Sequence, residues 1–155
     1  DNGYEIDVCQ EIAYQYNLRA GTFMEEEAFQ QMFEENQFRR CMNAAARLLG
    51  SRAHSKSELR KKLYSRGFRQ PTLKTTLDEC ARLGLINDQA FAEQYAHELA
   101  DRGLGSYRMV KTLVDKGVDR QLAENVAEQL NGEEHEKDRA KRLLNKKWST
   151  LARRE

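Results

Sequence analysis

The residues that most often carry out chemistry are few and scattered in this chain. The cysteines and histidines lie far apart, at Cys9, Cys41, Cys80, His54, His97 and His135. None of these positions matches the ligand spacing of a zinc site, and none pairs a nucleophile with a base as in a catalytic triad. Gly103 and Gly105 form only a G-x-G, without the strand and lysine of a phosphate-binding loop. We therefore predict no catalysis, no metal and no cofactor, and three buried or half-buried thiols in a reducing cytoplasm.

Charge, by contrast, is strongly segregated along the chain. The net charge is only +1, but residues 1–36 hold nine acidic residues and one arginine, a net charge of −8. Residues 37–70 hold ten basic residues and one glutamate, a net charge of +9. This density exceeds what solubility requires, so we expect the basic segment to contact a polyanion or an acidic protein. The alternative is a solvated helix surface.

Helices must position these charges. A single proline, with 33% charged and 39% apolar residues, favours helices over a β-rich fold. No apolar run approaches the roughly 20 residues of a membrane span. We therefore predict an all-α protein in the cytoplasm with no membrane contact.

The acidic N-terminal segment, residues 1–36, combines two kinds of pattern. Tyr4, Ile6 and Val8 alternate with polar residues, which predicts a short strand. Residues 25–35 predict a helix, because their apolar residues share one face and glutamates occupy the first turn.

Residues 37–86 show the pattern of three consecutive helices. Apolar residues from Phe38 to Leu49 recur at helical spacing and predict the first helix. Ser55 and Glu58 form a capping box that begins the second helix, which Gly67 ends. Pro71 suits the first residue of the third helix.

Residues 87–132 repeat this plan, with Asp88, Ser106 and Asp119 as predicted helix caps. A shift of 50 residues superimposes the two units, so that Leu63 matches Leu113 and the stop at Gly67 matches Gly117. A fixed offset of this kind indicates tandem repeats, which stack into an elongated, curved array.

Residues 133–155 begin like a third repeat. Ala140, Leu143, Leu144, Lys147, Trp148 and Leu151 fit one side of a helix. We interpret this segment as the start of an incomplete third repeat. The alternative is a simple C-terminal helix that packs on the second repeat.

Cations recur at equivalent positions of the two repeats. Lys61 lies nearly opposite the Leu59 and Leu63 stripe on a helical wheel, and Lys111 takes the same place in the second repeat. The predicted contact surface, here called the basic face, consists of Arg52, Arg60, Lys61, Lys62, Arg66, Arg69, Arg102, Arg108, Lys111 and Lys116. Tyr64 and Tyr107 could add stacking or apolar anchors, although ordinary packing is the better expectation for each.

Two segments, residues 52–68 and 85–118, contain the sequences S-x-x-E-L and F-A-x-x-Y and a K-G helix stop. Together these segments resemble the RecX family of recombinase regulators. Residues 52–68 read RAHSKSELRKKLYSRGF and contain the S-x-x-E-L turn of that family. Residues 85–95, LINDQAFAEQY, contain its F-A-x-x-Y helix start. Residues 102–118, RGLGSYRMVKTLVDKGV, contain its glycine-rich turn followed by a basic helix and a K-G stop. The resemblance covers residues 36–132 well and the ends more loosely.

The resemblance implies tandem three-helix repeats without catalysis. It also implies binding in the groove of RecA filaments on single-stranded DNA, with inhibition of recombinase, ATPase and coprotease activity. On this basis we expect a monomer that contacts the filament and could also contact the DNA directly.

Two other functions fit three short basic helices. One is a DNA-binding module of the helix-turn-helix type, although no tight turn between alternating strands supports a winged variant. The other is a helical adaptor that involves no nucleic acid.

Overall fold

The computed structural model describes residues 5–130, 132, 138, 140–146 and 148. The helices with defined bounds are α1 (Gln10–Gln15), α2 (Glu26–Ser51), α3 (Lys56–Ser65), α4 (Thr72–Arg82), α5 (Asp88–Asp101), α6 (Ser106–Asp115) and α7 (Arg120–Leu130). Residues 138, 140–146 and 148 are also helical, and no strand occurs in the described part. The predicted all-α class and the tandem three-helix units are therefore confirmed. Among the described helices, none has the length and apolar character needed to cross a bilayer.

The chain divides into two compact units. Unit 1 comprises Asp1–Arg52 and Leu59–Leu85, and unit 2 comprises Ala53–Glu58 and Ile86–Glu155. The short segment that leads into α3 thus belongs to unit 2, and the division falls inside that helix. The repeat boundaries expected from sequence, at residues 36, 86 and 132, stay predictions.

A buried amide replaces the predicted N-terminal strand. Tyr4 lies outside the described residues, and residues 5–9 form neither helix nor strand. The Asn36 side chain, which is 0% exposed, accepts from the backbone N–H of Cys9 at 2.9 Å. It also donates to the carbonyl of Asp7 at 2.8 Å. One side chain thereby satisfies backbone groups that a neighbouring strand would otherwise have to satisfy.

Helix α2 is one continuous helix where the sequence pattern predicts two. It contains no proline, and its one glycine, Gly50, lies in the last turn, so nothing between residues 35 and 38 breaks it. Its buried residues are Met32, Asn36, Cys41, Ala45 and Leu48. The polar Asn36 interrupts the apolar pattern at the predicted boundary, but its amide is buried against the backbone of residues 7 and 9.

The middle helices α3 and α6 end in the same way, as the 50-residue offset predicts. Gly67 has a φ of +95° and Gly117 a φ of +83°. The N–H of Phe68 donates to the carbonyl of Leu63 at 3.3 Å, and the N–H of Val118 donates to that of Leu113 at 3.1 Å. These are Schellman stops, in which a left-handed glycine lets the chain satisfy the last helical carbonyls.

Two predicted caps are confirmed. The Ser55 hydroxyl accepts from the N–H of Glu58 at 3.0 Å at the start of α3. The Asp119 carboxylate accepts from the N–H groups of Gln121 and Leu122 at the start of α7, at 2.9 and 3.2 Å. Both follow the local pattern by which a polar side chain satisfies the first helical donors.

The other predicted caps are shifted by one residue. Asn87, rather than Asp88, caps α5 by accepting from the N–H of Ala90 at 3.1 Å. The Asp88 carboxylate instead accepts from the backbone N–H of Lys56 at 2.7 Å, within unit 2. In α6 the N-cap position is Gly105, which makes no side-chain cap hydrogen bond, and Ser106 is the first helical residue. Pro71 is likewise the N-cap of α4 and not its first residue.

The core of unit 2 is a continuous apolar cluster contributed by α5, α6 and α7. Phe91 and Ala92 come from α5, Met109 and Leu113 from α6, and Ala123 and Val126 from α7. Met109 and Leu113 are 0% exposed. The small residues allow three short helices to approach closely around the two long side chains of α6.

The segment interpreted as the start of a third repeat is helical where described. Lys147 and Leu151 lie outside the described residues. Leu143 packs on the turn between α5 and α6, because a Cβ on Gly103 would lie 2.7 Å from its Cδ2. Leu144 and Trp148 are 67% and 77% exposed. Packing on unit 2 fits the alternative of a C-terminal helix, and an incomplete third repeat stays a prediction.

The stop at Gly117 generates a stability prediction. A Cβ there would lie 2.3 Å from the Cβ of Ser57, whereas a Cβ at Gly67 would meet nothing within 4 Å. Gly67→Ala should therefore lower the free energy of unfolding by about 1–2 kcal/mol through left-handed strain alone. Gly117→Ala should lower it by about 1–3 kcal/mol more, because the clash is added. Urea denaturation measures both, and Ser57→Gly should remove the excess; equal effects of the two alanines would contradict this packing.

Candidate functional site

Helix α3 presents its cations because only a narrow stripe of it is buried. Leu59 and Leu63 are 0% exposed. Arg60 and Lys61 point to solvent, while Lys62 is half-buried. A ten-residue helix that buries a pair at i and i+4 leaves most of its circumference open, which allows a basic outer surface.

Arg69 is fixed at the C-terminal end of α3. Its Nη1 donates to the carbonyls of Tyr64 and Phe68 at 2.9 and 3.0 Å. Its guanidinium carbon lies 4.2 Å from the centroid of the Tyr64 ring, which is 55% exposed. A cation at this position meets the negative end of the helix dipole and stacks on an aromatic face. The result is a preorganised surface of a guanidinium and a ring, with Arg66 exposed nearby in sequence.

Helix α6 has a lysine at the position of Lys61 in α3, but the residues beside it differ. Lys111 is exposed opposite the buried Met109 and Leu113, as Lys61 is on α3. Arg108 is also exposed. The positions equivalent to Ser57, Arg60 and Tyr64 hold Tyr107, Val110 and Val114. The outer surface of α6 is therefore more apolar than that of α3.

Lys116 is engaged inside unit 2. Its Nζ lies 3.7 Å from a carboxylate oxygen of Glu58 and 5.8 Å from the centroid of the Tyr95 ring. Its backbone carbonyl accepts from the Ser55 hydroxyl at 2.5 Å. The cation thus has a structural role in addition to the predicted surface role, which stays a prediction.

The other basic-face residues lie at helix ends. Arg52 is the C-cap of α2 and Arg102 the C-cap of α5, and both are exposed. Within unit 1 the structure therefore groups the basic residues that follow Leu59 on and just after α3. Within unit 2 it places Arg102, Arg108 and Lys111 around the start of α6.

Two of the cysteines are unsuited to chemistry. Cys41 and Cys80 are 0% exposed, and burial raises the pKa of both thiols. The Cys80 thiol lies 3.9 Å from the sulfur of Met42. Thiols held protonated in an apolar interior are poor nucleophiles and poor metal ligands. In the part of the chain that the structure describes, no cluster of His, Cys, Asp and Glu could hold a metal ion.

A cleft between α6 and α7 was not predicted. It has a volume of about 470 Å³ and is lined by Tyr107, Val110, Val114 and Ala127, with charged residues around them. Tyr107 is 83% exposed, so the expectation of ordinary packing is wrong for this residue. Its place on a helical wheel, far from Met109 and Leu113, is the sequence signal that could have located it.

Family comparisons identify the chain. Residues 41–80 match the first three-helix domain of RecX, and residues 87–126 match the second. The regulatory protein RecX of Amycolatopsis mediterranei is 31% identical over 118 residues, covering 76% of this chain and 67% of the relative. The chain belongs to the RecX family. The regulatory protein RecX of Clostridium perfringens strain 13 is 26% identical over 155 residues, covering 100% of this chain and 72% of the relative.

Solved RecX structures share the fold. A crystal structure of regulatory protein RecX matches with a TM-score of 0.73 and 20% identity, covering 99% of this chain and 75% of that chain. The crystal structure of RecX from Lactobacillus salivarius matches with a TM-score of 0.68 and 21% identity, covering 77% of each chain. Both matches show that proteins of low sequence identity to this chain have the same fold.

The contacts of Lys116 with Glu58 and Tyr95 lead to a prediction that distinguishes a cation with a structural role from an exposed cation. Lys116→Gln should lower the free energy of unfolding by about 0.5–1 kcal/mol, because a part-buried ion pair and a cation–π contact are lost. Lys111→Gln, its matched exposed control, should leave stability within error. A double-mutant cycle with Glu58→Gln that shows no coupling to Lys116 would contradict the ion pair's contribution.

Proposed function

We propose that this RecX-family chain binds along the groove of RecA filaments on single-stranded DNA and restrains recombinase, ATPase and coprotease activity. Such a protein would act in DNA repair and the SOS response. The family membership supports a regulatory role, and the three-helix units without a metal cluster in the described residues are consistent with a binding protein. The free, mostly buried cysteines support a reducing cytoplasm, in which we propose a monomer.

The observation that carries the proposal is the cationic outer surface of α3. Arg60 and Lys61 are exposed on one side of the helix, and the only acid in α3, Glu58, lies within its first turn in an ion pair with Lys116. No carboxylate of α3 therefore competes for these two cations. A filament groove that contains DNA presents a dense row of phosphates, and such a row attracts clustered cations strongly.

The rest of the basic face would extend this contact. Arg66 and Arg69 continue the cationic surface beyond the end of α3, with Arg69 already held against Tyr64. Arg102, Arg108 and Lys111 would supply a second, weaker set from unit 2. A preorganised guanidinium loses little conformational freedom on binding, which favours affinity.

Binding to bare DNA is the competing function. In a helix-turn-helix module the recognition helix enters the major groove, and α4 would have to play that part here. Helix α4 carries Asp78 and Glu79 as well as Lys74 and Arg82, and Arg82 is paired with Glu79 at 2.7 Å. These carboxylates make α4 a poor match for phosphates. The experiments below compare filaments with bare DNA for this reason.

Charge reversal on α3 tests the proposal. Arg60→Glu with Lys61→Glu should weaken inhibition of the DNA-dependent ATPase of RecA by at least about tenfold, because like charges would face the phosphates. The readout is the ATPase rate against titrated protein. Reversal of Lys111 should have a smaller effect, since fewer cations surround it.

A control matches the charge change. Arg19→Glu with Lys74→Glu lowers the net charge equally at exposed positions outside the basic face, and it should inhibit nearly as well as the parent. Circular dichroism should show the same helical content in all variants. Full inhibition by the α3 variant would exclude α3 as the contact surface, and tighter binding of the parent to bare DNA than to filaments would favour the competing function.

Salt gives an independent test. Filament affinity should fall as salt rises, with a log–log slope of roughly −0.7 for each phosphate neutralised on single strands. The α3 reversal should make this slope shallower. Fluorescence anisotropy at several salt concentrations measures both slopes, and an affinity independent of salt would show that the basic face is only a solvated surface.

A further inference from the structure

The outer surfaces of α3 and α6 have diverged in a systematic way. Both helices bury residues at the same two positions and keep a lysine opposite them. Beside that lysine, α3 has Arg60 and Tyr64, whereas α6 has Val110 and Val114. Tyr107 adds an aromatic ring that is 83% exposed. The same scaffold position is therefore cationic in one repeat and apolar in the other.

These apolar residues line one cleft and are not scattered over the surface. Tyr107, Val110 and Val114 face Ala127 of α7 across about 470 Å³ of open space. Val114 is 39% exposed, although it is aliphatic. The small Ala127 leaves depth where a larger side chain would fill the space. A concave apolar site with exposed aromatic and aliphatic walls is typical of a pocket that takes an apolar anchor.

The charges of the cleft favour a polypeptide over nucleic acid. Its charged lining residues are Lys111, Asp115, Arg120, Glu124 and Glu128. Arg120 is paired with Glu124 at 2.9 Å, which leaves one lysine against two carboxylates. With one lysine against two carboxylates, the lining attracts a phosphate backbone poorly, whereas an apolar side chain flanked by a basic residue would find complementary groups.

We propose that the α6–α7 cleft binds an apolar side chain, flanked by a basic residue, on the protein subunits of the filament, while α3 faces the DNA. The inference rests on the proposed function and divides its contact into two chemistries. The α3 surface supplies charge attraction to phosphates. The cleft supplies an apolar site for an anchoring side chain, and a phosphate backbone has no such group.

The test removes the anchor site without touching the core. Tyr107→Ser with Val114→Asn changes two exposed residues of the cleft and should lower the affinity for RecA filaments on poly(dT) by about tenfold. Its affinity for bare poly(dT) should stay within about twofold of the parent, because the two substituted side chains carry no charge and Lys111 is retained. The control, Tyr14→Ser with Leu83→Asn, removes residues that are 90% and 49% exposed outside the cleft. It should bind both targets like the parent, and thermal melts should be unchanged in both variants.

A second measurement identifies the occupant directly. A photoreactive phenylalanine analogue at position 107 should cross-link to the RecA polypeptide in assembled filaments. Cross-links to DNA, to a second copy of this chain or to its own C-terminal residues would each overturn the proposal, as would unchanged filament affinity of the cleft variant. If the cleft variant binds filaments as tightly as the parent while the α3 reversal abolishes binding, the proposed function stands without the cleft. If the parent does not bind filaments at all, both fall.

Discussion

The structure depends on how little of each middle helix has to be buried. Helices α3 and α6 have ten residues each, which is too short to be stable alone in water. Each is held by a pair of apolar residues one turn apart, Leu59 with Leu63 and Met109 with Leu113, and all four are 0% exposed. Two anchors define one narrow side of a helix. Much of the remaining surface is exposed and can carry side chains that suit a partner.

Such short helices need defined ends as well as anchors. Ser55 begins α3 and Gly67 ends it, so the helix cannot slide or extend in a way that would move its cations. Ser55 has a second role, since its hydroxyl also donates to the carbonyl of Lys116 within unit 2. One hydroxyl therefore both accepts and donates, as its two lone pairs and single proton allow. The start of α3 is thus fixed by a local bond and by a tertiary bond at once.

Because the two repeats share one scaffold, their outer surfaces can differ in chemistry without a change of fold. The lysine opposite the buried pair is kept at Lys61 and Lys111, but the residues beside it differ in chemistry. Cations beside Lys61 suit phosphates, and aliphatic residues beside Lys111 suit a polypeptide. Most of these side chains are exposed, and only Val110 packs partly against the core of unit 2, so the changes cost the fold little. A regulator of a protein–DNA polymer would need both kinds of contact.

The sequence alone determined what depends on neighbours along the chain. The caps at Ser55 and Asp119 and the stops at Gly67 and Gly117 follow from hydrogen bonds that span a few residues, so their patterns are visible in the sequence. The 50-residue repeat and the family resemblance rest on the same local signals. These also gave the all-α fold and the exposed position of Lys61.

Only the tertiary structure decided what depends on distant partners. The amide of Asn36 is buried inside unit 1 because it bonds a segment 27 and 29 residues away. Lys116 pairs with Glu58, and a cleft lies beside Tyr107, because of how the helices pack and not because of spacing along the chain. The physical reason is that a cap is satisfied within one turn of chain. Whether a lysine or a tyrosine is engaged or exposed depends on the residues that the fold brings next to it.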